Sequence, residues 1–306
     1  VAICRAFGLA DEFPEKVLRE ARALVKEYDD PKTQPQFLEG RTDQRKQFTV
    51  TIDPPDAQDY DDAISVSPTG DGGWELGVHI ADVASFVTRG SELDGEARTR
   101  GNSAYLPRLV IPMLPEVLSN GICSLQPRVP RVAKSVFITY DKAGEVQRSR
   151  FVHSVIESNH RLTYLEAQAL IDGNPKEAAK HARAENEYTD ELTEALQQMD
   201  KLAKAIRKRR EKAGMIVLDL PEVELEFDDK GNVIDAHPED DAFTHQIIEA
   251  FMVEANEAVA RTFASMDVPL IRRIHPDPPA LDLEELRQFT RVAGYNIPAN
   301  PSRSEL

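Results

Sequence analysis

Five aspartates lie within ten residues of one short segment: Asp53, Asp56, Asp59, Asp61 and Asp62. Two carboxylates about 4 Å apart repel each other by roughly 1 kcal/mol in water, and by more in a partly buried site. We therefore expect a cation among them. Carboxylate oxygens are hard ligands of Mg²⁺ and Mn²⁺, and pairs of such ions about 3.5 to 4 Å apart hydrolyse phosphodiesters in many enzymes.

Two other interpretations of this acidic segment can be compared with its spacing. An EF-hand that starts at Asp59 would need an oxygen ligand at its fifth position and glycine at its sixth, where Ala63 and Ile64 stand. That interpretation is excluded. An exposed acidic loop, in which aspartates serve turns and caps, remains an alternative to metal binding.

Composition restricts the other function classes. The 306 residues carry 37 Lys and Arg against 53 Asp and Glu, so the net charge of −16 repels polyanions at long range. A polyanionic partner would need bound cations or a local basic patch. The stretch Lys201–Lys212 carries seven basic residues and one acidic residue, and it could contact the phosphates of such a partner or form the solvated face of a helix.

Several enzyme classes and a membrane location lack support. The sequence has no HExxH, GxSxG or P-loop motif, so zinc peptidase, serine hydrolase and nucleotide-triphosphatase functions are not indicated. No run approaches the roughly 18 apolar residues of a membrane helix. Only Cys4 and Cys123 are present, without a CxxC pair, which fits a reducing cytoplasm. We expect a soluble, cytoplasmic protein, and no dedicated protein partner can be inferred.

Short strands surround the acidic segment. Alternating apolar residues predict strands at Phe48–Ile52, Ala63–Val66 and Trp74–Val83, which places residues 53–62 at strand ends. Two further strands are predicted at Ala133–Tyr140 and Val146–Ile156, on either side of a hairpin turn. His79 lies within the third predicted strand, where a structural role is the simpler interpretation.

The second half of the sequence is mostly helical. Helices are predicted at Leu162–Ile171, Lys176–Lys212, Asp241–Ser265 and Asp282–Ala293. Short strands are predicted at Ile216–Leu220, Val223–Phe227 and Val233–Ala236, with a turn at Asp228–Asn232. Residues 1–40 are predicted as a helical linker that precedes the main domain, not as part of a core. Strands and helices mix without strict alternation, so the fold class is α+β.

Five strings in this order resemble the ribonuclease R and ribonuclease II family of exoribonucleases. They are TIDPPDAQDYDDAI (51–64), VHIADVASFV (78–87), RGNSAYLPRLVIPMLPEVLSNGICSL (100–125), RLTY (161–164) and HQIIEAFMVEANEAVA (245–260). The resemblance covers roughly Phe7 to Gly294 and is closer to the ribonuclease R branch. It implies an RNB-type catalytic domain, with a mixed, mostly antiparallel sheet surrounded by helices.

The resemblance also implies a site and a reaction. In that family four acidic residues bind Mg²⁺ and are catalytic, and the matching positions are Asp53, Asp59, Asp61 and Asp62, whereas Asp56 lies outside the pattern. Mn²⁺ is the other candidate ion. The reaction would be hydrolysis of single-stranded RNA from its 3′ end to nucleoside 5′-monophosphates. Loss of the carboxylate at Asp61 would remove cleavage and leave RNA binding.

Two further residues are candidates for RNA contacts through the same resemblance. Tyr105 matches a tyrosine that stacks on a base near the 3′ end, although a tyrosine packed in the core is the alternative. Glu249 matches a position that contacts the terminal nucleotides, although an exposed helical glutamate is usually only solvated.

The family pattern continues beyond the strings found here, to one that resembles HFTSPIRRY. We therefore expect residues 41–306 to be the N-terminal portion of a catalytic domain, incomplete at its C-terminal side. Because the arginine of that string stabilises the transition state, the chain could be an inactive piece of an enzyme. The alternatives are a non-catalytic RNA-binding or scaffold protein that keeps the fold and a cation-binding acidic protein without a role in RNA metabolism.

Overall fold

A computed structural model describes residues 4, 6–10, 12–106, 109–217, 223–228, 231–238, 242–274, 278–302 and 305. Within these residues the α-helices are α1 Glu15–Asp29, α2 Gln34–Leu38, α3 Glu92–Arg100, α4 Tyr164–Ile171, α5 Pro175–His181, α6 Asp190–Lys212, α7 Phe243–Ser265 and α8 Ala280–Val292, and a 3-10 helix at Val83–Ser85 and a π-helix at Leu118–Ile122 are also present. The strands are β1 Thr42–Asp43, β2 Val50–Asp53, β3 Asp62–Pro68, β4 Trp74–Ala81, β5 Ala104–Leu106, β6 Leu109–Ile111, β7 Pro130–Tyr140, β8 Val146–Glu157, β9 His160–Thr163, β10 Val223–Phe227 and β11 Val233–Pro238.

The described strands form one seven-stranded sheet and two separate hairpins. The order in the large sheet is β1-β8-β7-β4-β3-β2-β9, and β5-β6 and β10-β11 are the hairpins. The pairs β2-β3, β3-β4, β4-β7 and β7-β8 are antiparallel, whereas β1-β8 and β2-β9 are parallel. This mostly antiparallel sheet with helices confirms the predicted α+β class.

The large sheet is strongly curled, as the short connection between β8 and β9 requires. These strands are five positions apart in the sheet, which would be about 24 Å in a flat sheet with strands about 4.8 Å apart. Only Ser158 and Asn159 connect them, and a link of that length spans about 10 Å. Asn159 donates its backbone N–H to the carbonyl of Thr49, 2.7 Å away, where β2 begins. The two sides of the sheet therefore meet.

One face of the curled sheet packs on helices through large apolar residues. Alternate residues of β2, β3, β4 and β7 share a buried cluster with residues of α4, α6 and α7. Helix α4 begins at a capping box, in which the Thr163 hydroxyl accepts from the Glu166 backbone and the Glu166 carboxylate accepts from the Thr163 backbone. Glu166 is fully buried, and its carboxylate also accepts hydrogen bonds from Asn186 and Tyr188.

The opposite face carries small residues and a chain of side-chain hydrogen bonds. The Ser154 hydroxyl donates its hydrogen to the Ala133 carbonyl. The Ser154 Oγ atom must therefore accept the hydrogen bond from the Ser135 hydroxyl, 2.6 Å away. Ser135 then accepts from Nδ1 of His79 at 2.7 Å, and Nε2 accepts from Ser65 at 3.1 Å. Burial lowers the pKa of His79 to about 3, and the positive charge of a nearby arginine acts in the same direction. The structure thus agrees with a structural role for this histidine.

The segment before residue 41 differs from the predicted linker. Helix α1 is present, but Val17, Ala21 and Tyr28 are buried in a cluster with Phe86 and Leu118. The Tyr28 hydroxyl also donates to the Pro130 carbonyl at 3.0 Å. The linker prediction is wrong in this respect, because the apolar stripe of this helix packs against the main body instead of lying in a connection.

Two predicted helices have different limits in the structure. The predicted helix Lys176–Lys212 is divided into α5 and α6, because Thr189 caps the second helix by accepting from the Leu192 backbone. The predicted helix Leu162–Ile171 starts two residues later, since Leu162 and Thr163 belong to β9.

Some elements were not predicted, and some predictions cannot be compared. Helices α2 and α3, strand β1 and the hairpin β5-β6 were not expected. Three predictions fall partly outside the described residues. These are the strand at Ile216–Leu220, for residues 218–220, the turn at Asp228–Asn232, for residues 229–230, and the helix at Asp241–Ser265, for residue 241. Residues 216 and 217 are not in a strand. Within the described parts of the chain, no helix combines the length and the apolar character needed to cross a membrane.

Candidate active site

The acidic segment connects two neighbouring strands of the curled sheet. Asp53 is the last residue of β2, Asp62 is the first residue of β3, and residues 54–61 form an irregular loop between them. We refer to residues 54–61 as the acidic loop. Its far end is fixed to β4, because the Ala81 backbone donates to the Asp61 carbonyl at 2.9 Å. The prediction that the aspartates lie at strand ends is confirmed.

Asp53 is an unusual buried carboxylate. Asp53 is 8% exposed, and its buried Oδ2 atom accepts no hydrogen bond from the described residues. Burial raises the pKa of Asp53 to about 7, and the negative charges of Asp62 and Asp59 act in the same direction, whereas the Thr51 side chain and the Arg161 guanidinium oppose this rise. A buried oxygen without a partner is costly, so this position favours a cation or a proton beside it.

The remaining aspartates of the pattern differ in exposure. Asp61 keeps an accessible face, but surrounding protein raises its pKa to about 6, and the charges of Asp59 and Asp62 add to this rise. Burial also raises the pKa of Asp62. Near neutral pH these carboxylates therefore retain protons more readily than free aspartate, and a bound cation would displace those protons.

A cavity of about 620 Å³ opens beside the acidic loop. Asp59 and Asp61 line one side, and residues of the β5-β6 hairpin and of the segment that follows it, including Val110 and Leu114, line the other. Tyr105 also lines the cavity and is 71% exposed, so it is not the packed core tyrosine of the alternative interpretation. Partial burial and the charges of Asp59 and Asp61 raise the pKa of its phenol. The structure thus brings Tyr105 together with Asp59 and Asp61, whereas Asp53 and Asp62 do not line this cavity.

The donor set fits a hard divalent cation. The carboxylates of Asp53, Asp59, Asp61 and Asp62 offer oxygen ligands, and the Asp53 Oδ2 atom is buried without a hydrogen bond. In the part of the chain that the structure describes, no three Asp, Glu, His or Cys side chains converge on one point. Mg²⁺ commonly binds one or two carboxylates and keeps several water ligands. This arrangement therefore suits Mg²⁺, which does not need a site in which the protein supplies every ligand.

Glu249 lies in another part of the surface. It is exposed on α7 and lines a cavity of about 380 Å³ between α6 and α7, together with Arg207 and Phe243. The lining of this cavity contains none of the four aspartates, and Tyr105 does not line it. The structure therefore does not place Glu249 in the cavity of the acidic loop, and its contact with RNA stays a prediction.

Two arginines of the basic stretch Lys201–Lys212 bind a buried partner inside the protein. Arg209 and Arg210 both bind the buried carboxylate of Glu254 on α7, at 2.5 and 2.7 Å, and Arg210 also binds Glu257. These arginines join α6 to α7, a role that neither sequence interpretation included. Three exposed lysines of this stretch have no ion pair among the described residues: Lys201, Lys208 and Lys212.

Two residues that contact the acidic loop were not singled out from the sequence. Ser124 and Arg161 are both buried and both bind the loop backbone. Each belongs to a string that carried the resemblance, ICSL and RLTY, but neither residue type indicates catalysis by itself. Their bonds to the loop depend on contacts between distant parts of the sequence.

Comparisons with known proteins agree with this architecture. The family model described as RNB domain matches residues 41–305. Ribonuclease R of Aquifex aeolicus is 36% identical over 295 residues, which cover 96% of this chain and 40% of that protein. The chain thus spans about two fifths of the length of this curated relative.

Solved structures show the same fold. The apo form of Mycoplasma genitalium RNase R superposes with a TM-score of 0.88 at 29% identity, over 99% of this chain and 46% of that one. The same enzyme in complex with ribose-methylated single-stranded RNA gives a TM-score of 0.83 at 30% identity, over 97% and 44% of the two chains. The family model, the ribonuclease R relatives and the shared curled sheet establish that the chain belongs to the RNB domain family.

Proposed function

We propose that the chain carries the metal site of a 3′-to-5′ exoribonuclease that hydrolyses single-stranded RNA to nucleoside 5′-monophosphates. The observation that carries this proposal is the buried Asp53 oxygen without a partner, at one end of an acidic loop that opens into the cavity of Tyr105. Membership of the RNB family and similarity to ribonuclease R support the choice of RNA as substrate.

The aspartates would hold Mg²⁺, or Mn²⁺ in its place, between the protein and the RNA. When bound, such an ion lowers the pKa of water and neutralises charge on the scissile phosphate. In the reaction a water oxygen bonds to phosphorus, the bond from phosphorus to the 3′ oxygen breaks, and that oxygen takes up a proton. The products are a nucleoside 5′-monophosphate and an RNA shorter by one residue.

The chain's own residues would position the RNA end. Asp59 and Asp61 form the acidic side of the cavity, where phosphate could approach only with a cation between them. The exposed ring of Tyr105 offers a stacking surface for a base, and Val110, its cross-strand neighbour, adds an apolar contact.

Three observations support the substrate, domain and location assignments. A similar enzyme has been solved with single-stranded RNA, which makes this class the first substrate to test. The family match begins at residue 41, which supports a catalytic unit at 41–306 preceded by a helical segment at 1–40. Both cysteines are free and buried, which is consistent with a reducing cytoplasm.

A non-catalytic RNA-binding or scaffold role is the second candidate. It is favoured by the lining of the cavity of Tyr105, which among the described residues includes Asp59 and Asp61 but neither Asp53 nor Asp62. In that case RNA would bind beside Tyr105, and the aspartates would not promote hydrolysis.

The two candidates differ in one experiment with the 306-residue chain. RNA labelled at its 5′ end is incubated with the protein in Mg²⁺ or in EDTA, and the products are resolved on a denaturing gel. Shortening from the 3′ end that needs Mg²⁺ and that Asp61→Asn abolishes would support the exoribonuclease. A matched variant, Asp29→Asn, should cleave like the wild type, because Asp29 is exposed at the end of α1 and does not line the cavity of the acidic loop.

The opposite results are equally informative. RNA binding by the wild type without cleavage would fit both the scaffold role and the expected incomplete catalytic domain, and the same assay on a longer chain that includes the HFTSPIRRY-like string, with Asp61→Asn as its control, would distinguish them. Cleavage that persists in EDTA, or internal cuts in place of terminal shortening, would contradict the proposed reaction.

A further inference from the structure

The acidic loop has almost no structure of its own. Among the backbone hydrogen bonds of residues 54–61, one lies within the loop, from the Ala57 N–H to the Pro54 carbonyl at 3.1 Å. Fixing each residue of a loop costs about 1 to 2 kcal/mol of conformational entropy. The aspartates can therefore keep a defined arrangement only if other parts of the chain hold this backbone.

One such support is the hydroxyl group of Ser124. This residue is fully buried, and its Oγ atom donates to the Gln58 carbonyl at 2.9 Å and accepts from the Tyr60 N–H at 3.0 Å. Both bonds reach the loop, on either side of Asp59. The next residue adds a backbone bond, from the Leu125 N–H to the Tyr60 carbonyl at 2.8 Å. A single hydroxyl thus fixes the two peptides that flank one carboxylate.

The second support is the guanidinium of Arg161 on β9. Arg161 is 3% exposed, and its Nη2 atom donates to the carbonyls of Pro54 and Pro55, each at 2.9 Å. The arginine also lies over the ring of Tyr60, with 5.5 Å between its Cζ atom and the ring centroid. Its contacts therefore cover both ends of the loop, beside Asp53 and beside Asp61.

The energetic cost of Arg161 indicates that it does more than stabilise the fold. Burying a guanidinium costs several kcal/mol unless its donors are satisfied and its charge is paired. The buried Nε atom of Arg161 has no hydrogen-bond partner, and no ion pair within 4 Å is found for this side chain among the described residues. Its positive charge acts on the Asp53 carboxylate, and its hydrogen bonds and its ring contact go to the acidic loop, so its described interactions are with this one segment.

We propose that Ser124 and Arg161 are positioning residues that hold the acidic loop in the geometry that binds the metal ion. This inference rests on the proposed function in so far as it concerns the metal, but the loop geometry can be tested without it. Neither side chain lines the cavity beside the loop, so neither is expected to contact RNA. They act through the backbone of the aspartates.

The test compares Mn²⁺ binding and loop protection in the 306-residue chain. Mn²⁺ is titrated into the protein and the free ion is measured by electron paramagnetic resonance, while hydrogen exchange of residues 54–62 is followed by mass spectrometry. Ser124→Ala and Arg161→Lys should each weaken Mn²⁺ binding by about 10- to 100-fold, the usual effect of removing a support behind metal ligands. Exchange at 54–62 should become about tenfold faster.

Matched variants separate positioning from general stability. Ser154→Ala removes another fully buried serine hydroxyl, and Arg209→Lys alters another mostly buried arginine, but neither residue contacts the acidic loop. These controls should lower the melting temperature without weakening Mn²⁺ binding. Ser124→Thr keeps the hydroxyl group and should retain most of the affinity that Ser124→Ala loses.

The two proposals can fail separately. If the wild type binds no Mn²⁺, the proposed metal site is contradicted. If hydrogen exchange is unchanged in Ser124→Ala and Arg161→Lys, the positioning role is overturned. If Mn²⁺ binds but the loop variants and the controls lose affinity equally, the positioning role is also wrong. If either loop variant fails to fold, the other one decides.

Discussion

Replacing Asp53 by asparagine should stabilise the metal-free protein at alkaline pH, although it removes a proposed metal ligand. The Asp53 carboxylate is buried, and its Oδ2 atom has no hydrogen bond from the described residues. Asparagine has nearly the same shape but carries no charge. The substitution therefore removes the cost of holding a negative charge in this position while changing the packing little.

The expected size follows from the pKa of this carboxyl group. Burial raises its pKa from 3.8 to about 7 in the folded protein. One pKa unit corresponds to about 1.4 kcal/mol, so the ionised carboxylate destabilises the fold by up to about 4 kcal/mol above pH 7. The unfolded chain releases this proton near pH 3.8 and the folded chain near pH 7. The penalty is absent below pH 3.8 and grows until about pH 7.

Urea unfolding in EDTA between pH 4 and pH 8.5 measures this effect. The stability of Asp53→Asn relative to the wild type should increase with pH and level off above about pH 7. The Asp56→Asn variant is the control for the loss of an exposed carboxylate in the same loop. Excess Mg²⁺ should then stabilise the wild type more than Asp53→Asn, because binding to the folded state alone adds stability. A difference that does not change with pH would refute the argument that burial raises this pKa.

Four other substitutions probe the elements around the site. The wild type should lose stability as pH falls from 6.5 towards 3, because the buried His79 stays neutral in the folded state and protonates when the chain unfolds. His79→Gln should lose less stability over this range, as measured by urea midpoints at pH 7 and pH 4.5. Glu254→Gln should cost about 3 to 5 kcal/mol in urea unfolding, since two arginines of α6 would lose their buried counter-charge. Gly77→Ala should cost about 1 to 3 kcal/mol in thermal unfolding, because its Cβ would lie 2.4 Å from a serine oxygen. Gly95→Ala, in a helix with free space around it, should stabilise by up to about 1 kcal/mol; a matching loss in both glycine variants would contradict the steric argument.

The acidic loop and its strands could be predicted because their signals are local. The alternation around Val50 and Ile52 and the cluster that ends at Asp62 lie within a few residues of one another. The predicted strands at 48–52, 63–66 and 74–83 correspond to β2, β3 and β4 within about two residues. Neighbouring strands joined by short connections usually pair, so local pattern was sufficient to place the aspartates at strand ends.

The supports of the loop could not be predicted in this way. Leu162 fits a helix or a strand equally well. It becomes part of β9 because it pairs with β2, which lies about 110 residues earlier in the sequence. Arg161 gains its role only through that pairing. The arginines of α6 are similar, because their counter-charge at Glu254 is contributed by a separate helix. Pairings between distant residues decide these features, and a single sequence without an alignment does not reveal them.

The distance in sequence between the acidic loop and Arg161 also has a consequence during synthesis. The contact between Arg161 and Pro54 joins residues 107 positions apart. At roughly 5 to 20 residues per second, the ribosome needs about 5 to 20 s to add β9 after the aspartates have been made. During this interval the nascent chain carries all four aspartates without the strand and the guanidinium that arrange them. Capacity to bind a metal ion should therefore arise abruptly, once β9 has left the ribosome and joined β2.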